Sequence, residues 1–202
     1  MSNNSEYLNP QYGDFAQLFG PGDVPGYLSN GDIHAITLLS RLLPDSGIAV
    51  EIGSFLGKSS VEWAKHLPGH KIICIDSFNA PIDVLNQLLI DGDFVPPAGI
   101  INNLDMFKYY TRAYNNIHPI CAFFNETFDF PTQVDFVFED STHTLKYLNY
   151  ALPFWWGHLK SGGILSGHDY FGEVAAAVDI FAILNNLTVN TFENSSIWYI
   201  KK

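Results

Sequence analysis

The sequence predicts an α/β fold in which a mostly parallel sheet carries helices on both faces and closes in an antiparallel hairpin. Three observations predict it. From Ile48 onward, short β-rich runs alternate with longer helical patterns, the order expected of a parallel sheet packed between helices. The first of these runs leads directly into a glycine-containing turn and the start of a helix. Beyond Tyr170 the alternation stops, and two short apolar runs separated by polar residues end the chain, as in a terminal hairpin.

In chain order, residues 1–30 contain few periodic apolar positions and read as an arm or lid, leaving residues 31–202 as one domain. An N-terminal helix follows from the apolar run 35–43, preceded by His34. Strands are predicted over residues 48–52, 71–75, 117–122, 134–138 and 163–166. Helices are predicted over 59–66, 99–115, 145–158 and 174–184. Thr144 is placed to cap the third of these, and Pro153 should kink it or end it early. The hairpin pairs residues 187–192 with 196–200 across polar 193–195.

At 202 residues and 47% hydrophobic content, the chain can bury one sizeable core. Its 21 acidic residues outnumber 10 basic ones, a formal charge of −11 that repels phosphate backbones and anionic membrane surfaces. The expected partner is a small molecule, with no nucleic acid and no membrane, and homo-oligomerisation stays open. No secretory signal or run of about 20 apolar residues is visible, so a cytoplasmic location is expected. Cys74 and Cys121 lie in apolar stretches and read as buried thiols. His66, His70, His118 and His158 stand at element ends and read as surface residues, whereas His34 could face a site from the N-terminal helix. Tyr147, Tyr150, Phe154, Trp155 and Trp156 crowd one helix, as core or oligomer interface. The insert 79–105 is the expected wall or lid of a substrate pocket.

The chemistry concentrates between Val50 and Ser60. Gly53 permits a backbone turn, and a residue without Cβ lets a ligand approach the main chain; Gly57 does the same where the helix begins. Tight turns need glycine in any case. Asp76 ends the next strand about 20 residues on, where a carboxylate can accept the ribose hydroxyls of a nucleoside; a helix cap or solvated strand end is the alternative. Asp140, His168 and Asp169 follow later strands and converge on the same sheet edge. His143, three residues beyond Asp140, can take a proton from a hydroxyl if the intervening turn is tight.

The motifs E-I-G-S-F-L-G-K-S-S, I-D-S-F, V-D-F-V-F-E-D-S-T-H-T, L-K-S-G-G-I-L-S-G-H-D-Y and A-V-D-I-F occur in this order. The sequence resembles a family of class I, Rossmann-like methyltransferases with D-x-x-H and G-H-D-Y signatures. It is similar, more distantly, to macrolide and catechol O-methyltransferases and to cephalosporin-hydroxylase-like proteins. The resemblance implies a seven-stranded sheet with an antiparallel last strand and S-adenosylmethionine as cofactor. It implies that Glu51 holds the methionine amino group, directly or through water, that Gly53, Ser54, Phe55 and Gly57 wrap the methionine end, and that Ser59 opens the next helix. Asp76 would bind ribose, Ser77 and Phe78 would lie beside adenine, and Asn125 to Thr127 near its amino group. Phe55 replaces the middle glycine of the wider superfamily, and Asn125-Glu126-Thr127 the usual Gly-x-Ser. In the metal-dependent members the positions of Asp140, His168 and Asp169 hold a divalent cation, Mg²⁺ or another, with His143 as base; the alternative makes His168 a hydrogen-bonded scaffold without metal.

The expected activity is methyl transfer to a hydroxyl of a small or glycan-like acceptor. A nucleoside-binding module without methyl transfer is the rival. An NAD-dependent oxidoreductase is disfavoured, because the turn lacks the G-x-G-x-x-G that cradles a pyrophosphate.

Overall fold

The computed structural model describes residues 24–79, 102–125 and 128–202. Its elements are α1 (Asn30–Ser40), β1 (Gly47–Ile52), α2 (Lys58–His66), β2 (His70–Asp76), α3 (Asn103–Thr111), β3 (Ile117–Cys121), β4 (Val134–Glu139), α4 (Leu145–His158), β5 (Leu159–Gly167), α5 (Gly172–Leu184), β6 (Asn190–Thr191) and β7 (Trp198–Lys201). They build a seven-stranded sheet in the order β3-β2-β1-β4-β5-β7-β6. β3, β2, β1, β4 and β5 pair in parallel, and β7 closes antiparallel against both β5 and β6. The order reverses between β1 and β4, which opens a crevice at the carboxyl ends of those strands.

Alternate side chains of the central strands feed two separate cores, since successive Cβ atoms point to opposite faces. Val50, Ile52, Ile73, Ile75 and Val137 pack under α4 and α5 with Leu148, Leu152, Trp155 and Val178. Ala49, Ile72, Cys74, Phe136 and Phe138 pack under α1 and α2, where Trp63 sits 4.7 Å from Phe136 and 5.2 Å from Phe138 between ring centroids. With both faces covered, β1 and β4 read as apolar runs instead of alternating ones.

Several expectations are corrected. α4 continues through Pro153 to His158. Pro153 and Asn149 are both exposed, so solvent can take the Asn149 carbonyl that the missing N–H leaves free, while buried Leu152 and Trp155 anchor the turn. α3 begins at Asn103, capped by the Asn102 side chain accepting from the Asp105 N–H at 2.8 Å. β6 is only two residues long: before it the Leu187 N–H donates back to Ala182 O at 2.9 Å and Leu187 and Val189 pack on the core, and after it Asp32 accepts from Ser195 Oγ at 2.7 Å and from the Ser196 N–H at 3.1 Å. Cys121 is exposed while Cys74 is buried, and His70 is buried at 2% exposure. His34 lies on the exposed face of α1, away from the core. Most of the proposed arm 1–30, most of the insert 79–105, and Glu126 and Thr127 lie outside the described residues. Among the described residues, no helix is long and apolar enough to cross a membrane.

Candidate active site

The turn after β1 is held by its neighbours in the sheet. Gly53 N–H donates to Ile75 O, and Asp140 N–H to Ile52 O, both at 2.9 Å, so the tips of β1, β2 and β4 are laced together. Gly53 and Gly57 both lie in the left-handed region, with φ of +87° and +94°. Their missing Cβ atoms make room for protein. A Cβ on Gly53 would fall 2.2 Å from the Asp140 carbonyl oxygen, and one on Gly57 2.7 Å from Thr111 Cγ2. These glycines thus clear space for the β4 loop and for α3, and Gly53 also lines the cleft at the sheet edge. Phe55, at the superfamily's middle-glycine position, also has positive φ, at 47°.

Asp76 organises this turn from β2. Its Oδ2 accepts the Phe55 N–H at 2.8 Å and its Oδ1 the Phe78 N–H at 2.6 Å. Each carboxylate oxygen retains acceptor capacity, and Asp76 lines a cleft of about 240 Å³ at the switch point. Ile52, Gly53, Phe55, Ile75 and Ser77 line it from the β1 and β2 side; Ala122, Phe123 and Phe124 follow β3, and Asp140, Ser141, Thr142 and Tyr147 follow β4. Phe78 is not in this lining; it is buried against Phe107, edge to face at 5.2 Å. Phe123, 68% exposed, and Phe124 are, with Phe55 and Tyr147, the aromatic residues of the cleft, in place of Phe78. Asn125 is half-buried just beyond them, and Thr127 lies outside the described residues.

Two buried carboxyls sit beneath the cleft. Glu51 is 1% exposed and absent from the lining; Ser60 Oγ donates to its Oε2, while its Oε1 and Ser54 Oγ are buried without a formed hydrogen bond. Burial pushes the Glu51 carboxyl up, against the pull of the Ser59, Ser60 and Ser54 hydroxyls. Ser59 itself is buried in the first turn of α2. Glu139, at the end of β4, was not singled out from the sequence. It accepts from Ser141 N–H at 3.1 Å, Ser141 Oγ at 2.6 Å and Tyr147 OH at 3.3 Å, and burial pushes its carboxyl up to about 7 despite those donors. Only its position ahead of Asp140 could have drawn attention to it.

On the β4–β5 side, charged groups gather. His143 Nε2 lies 3.6 Å from Asp140 Oδ1 and 3.3 Å from Asp169 Oδ2. Asp140 raises the His143 pKa, burial opposes it, and Asp169 adds to the rise. Donor atoms of Asp140, His143 and Asp169 all fall within 4.8 Å of one another, a set of two carboxylates and an imidazole that suits a divalent cation. His168 stands behind this trio. It is 7% exposed, its Nδ1 3.1 Å from Asp169 Oδ1 and 3.9 Å from Asp140 Oδ1, and its Nε2 within ion-pairing distance, 3.2 Å, of Asp32 Oδ2. Burial opposes charging His168, yet Asp169 and Asp32 outweigh it and raise its pKa well above the usual value. The three clustered donors thus include His143 and not the expected His168, whose ring lies between Asp32 and Asp169. Asp32, at the N-terminus of α1, carried no signal for this role beyond the S-x-x-D pattern of a helix cap.

The family model described as "Methyltransferase domain" matches residues 50–170. The chain belongs to this family, among the class I, S-adenosylmethionine-dependent methyltransferases. It superposes on a precorrin-6y C5,15-methyltransferase from Geobacter metallireducens GS-15 with a TM-score of 0.61 and 17% identity, over 89% of this chain and 90% of that one. For the O-methyltransferase NovP the values are 0.58 and 13%, over 84% and 78%. For an O-methyltransferase from Bacillus cereus in complex with SAH they are 0.56 and 12%, over 89% and 84%. At such identities the likeness is one of fold. No curated protein sequence matches the chain.

Proposed function

We propose that the protein transfers the methyl group of S-adenosylmethionine to a hydroxyl oxygen of a small-molecule acceptor. The observation that carries this reading is that Asp140 lines the cleft and at the same time belongs to the Asp140–His143–Asp169 cluster, so cofactor pocket and proton-handling groups share an edge. Asp76 would accept the ribose hydroxyls, with Phe123 and Phe124 against the base and Ser77 beside it. Glu51, too buried to meet the cofactor directly, would fix the turn and pull on the methionine amino group from below.

A hydroxyl is a poor nucleophile until its proton is removed. His143, half exposed at the rim, can take that proton, and Asp140 and Asp169 orient its ring and stabilise the imidazolium formed. A divalent cation held by Asp140, Asp169 and His143 would polarise the acceptor oxygen instead. The chain's other contribution is alignment of oxygen, methyl and sulfur in line.

Calorimetry with S-adenosylmethionine, S-adenosylhomocysteine and NAD tests the cofactor: the first two bind and NAD does not, and binding of NAD alone refutes the assignment. Radiolabelled methyl transfer to a panel of small hydroxyl compounds tests the chemistry. His143→Ala lowers turnover by roughly 10²- to 10⁴-fold if the imidazole is the base, with chelator having little effect. Abolition by chelator, with recovery on adding Mg²⁺ or Mn²⁺, assigns the step to the cation. Unchanged turnover in both experiments removes the cluster from the chemistry.

A further inference from the structure

Asp32 does more than a helix cap requires. In the capping box of α1, its Oδ2 accepts from the Ser29 N–H at 2.8 Å and Ser29 Oγ at 2.7 Å, which accounts for the cap. Such caps ordinarily face solvent, but Asp32 is 1% exposed. Its Oδ1 is taken by Ser195 Oγ and the Ser196 N–H, and its Oδ2 also meets His168 Nε2 at 3.2 Å. Burial alone would push this carboxyl up; His168 and the two serine hydroxyls hold it well below the usual range.

Two routes lead from Asp32 to Asp169. Through the side chain, the His168 ring has Asp32 at ion-pairing distance from its Nε2, 3.2 Å without hydrogen-bond geometry, and Asp169 3.1 Å from its Nδ1, so a buried ring with a carboxylate at each end has one favoured orientation. Through the backbone, Ser196, pinned by Asp32, accepts the Asp169 N–H on its Oγ at 3.2 Å and the Tyr170 N–H on its carbonyl at 3.0 Å. Asp169 itself has a φ of 55°, a left-handed conformation that such anchoring maintains.

On the reading of the cluster given above, we infer that Asp32 is a positioning residue of the methyl-transfer site, fixing the His168 ring and the Asp169 backbone so that Asp169 faces Asp140 and His143. Partners standing behind first ligands in this way set ligand orientation and are worth about 10- to 100-fold in metal affinity or activity. α1 thereby becomes part of the site, although none of its residues lines the cleft.

The test compares wild type, Asp32→Asn and Ser195→Ala. Ser195→Ala removes one of Asp32's structural partners and leaves its contact with His168. S-adenosylhomocysteine affinity serves as the check of fold and stays unchanged in all three. In protein labelled with ¹⁵N-histidine, wild type and Ser195→Ala show a solvent-protected His168 Nε2 proton, and Asp32→Asn loses it. A wild type without that proton, or an Asp32→Asn variant that keeps it, overturns the inference. Manganese alone, titrated by calorimetry, binds 10- to 100-fold more weakly to Asp32→Asn and within twofold of wild type to Ser195→Ala; equal affinity in Asp32→Asn and wild type overturns it too. A wild type that binds no manganese counts against the cation in the proposed function, and the ring proton then decides the role of Asp32. Should Asp32→Asn fail the S-adenosylhomocysteine check, Asp32→Glu takes its place, with the His168 ring resonances displaced if the inference holds and unmoved if it fails.

Discussion

His70 and His168 are both buried, at 2% and 7% exposure, and lie at opposite ends of the same sheet. His70 opens β2 at the amino-terminal edge, and among the described residues neither of its ring nitrogens has a hydrogen-bond partner, nor does His168 Nε2 beyond its ion-pair contact with Asp32. Asp135, the acid whose charge acts on His70, is engaged by Lys160 at 2.9 Å and by the Ile48 N–H at 2.8 Å, and burial holds the His70 pKa down. His168 follows β5 at the carboxyl-terminal edge between Asp32 and Asp169, and its pKa is raised. One residue type, at similar depth, is kept neutral at one end and favoured as a cation at the other. The difference lies in the carboxylates around it, and those gather on the β4–β5 side of the carboxyl-terminal edge, next to the cleft that Asp140 also lines. Burial of a histidine says little about function; burial among acids points to the site.

Breaking the charged end should have the largest effect. His168→Leu leaves Asp32 buried without its counter-charge and is expected to cost about 3–5 kcal/mol of stability, the scale for removing one partner of a buried pair. Urea unfolding measures it, and a loss below about 1 kcal/mol would mean that the Ser29, Ser195 and Ser196 donors suffice for Asp32. Asp76 sharpens the contrast, since its carboxylate at the same edge is compensated by backbone amides and opens to the cleft. Asp76→Ala is expected to weaken S-adenosylmethionine binding by about 1.5–3 kcal/mol, measured by calorimetry. The neutral end should respond least. His70→Leu removes no hydrogen bond of the ring, and its unfolding free energy at pH 7.5 is expected within about 1 kcal/mol of wild type.

The pH dependence of His70 has a definite sign. Its folded pKa is lowered from 6.5, so below about pH 6.5 the unfolded chain takes up a proton that the folded chain refuses. This contribution is fully present above that pH and falls as the pH drops towards the folded value. Wild type should therefore lose more stability than His70→Leu between pH 7.5 and 5.5. Parallel pH profiles would show that the ring is solvated or partnered in the folded protein.

The alternation of strand-like and helical runs placed β1, β2, β3, β4, α4 and α5 close to where they stand, because a strand buried on both faces needs a continuous apolar run and a helix needs its apolar stripe. The turn at Gly53, Asp76 at the end of β2, and the approach of Asp140 and Asp169 were legible for the same local reason, each lying at or just beyond a strand end, whereas the ligand set read from the sequence had His168 where the clustered donor atoms have His143. Side-chain destinations were less legible. Phe78 packs into the core against Phe107 and has a left-handed backbone, neither of which a residue pattern announces. His70 is buried and Cys121 exposed, against expectation, because exposure at an element's end depends on what packs over it.

The sequence by itself determined the order of elements, the class of fold and the chain positions of the cofactor turn and the acidic cluster, since these follow from periodicity, turn chemistry and motif spacing along a local stretch of chain. The tertiary structure alone decided which groups share a boundary. It filled the places of the Gly53 and Gly57 side chains with protein, set Glu139 under Ser141 and Tyr147, and brought Asp32 to His168 from far away in the chain. Those contacts cross between elements, and their energies depend on burial and counter-charge, quantities that exist only once the chain has closed around them.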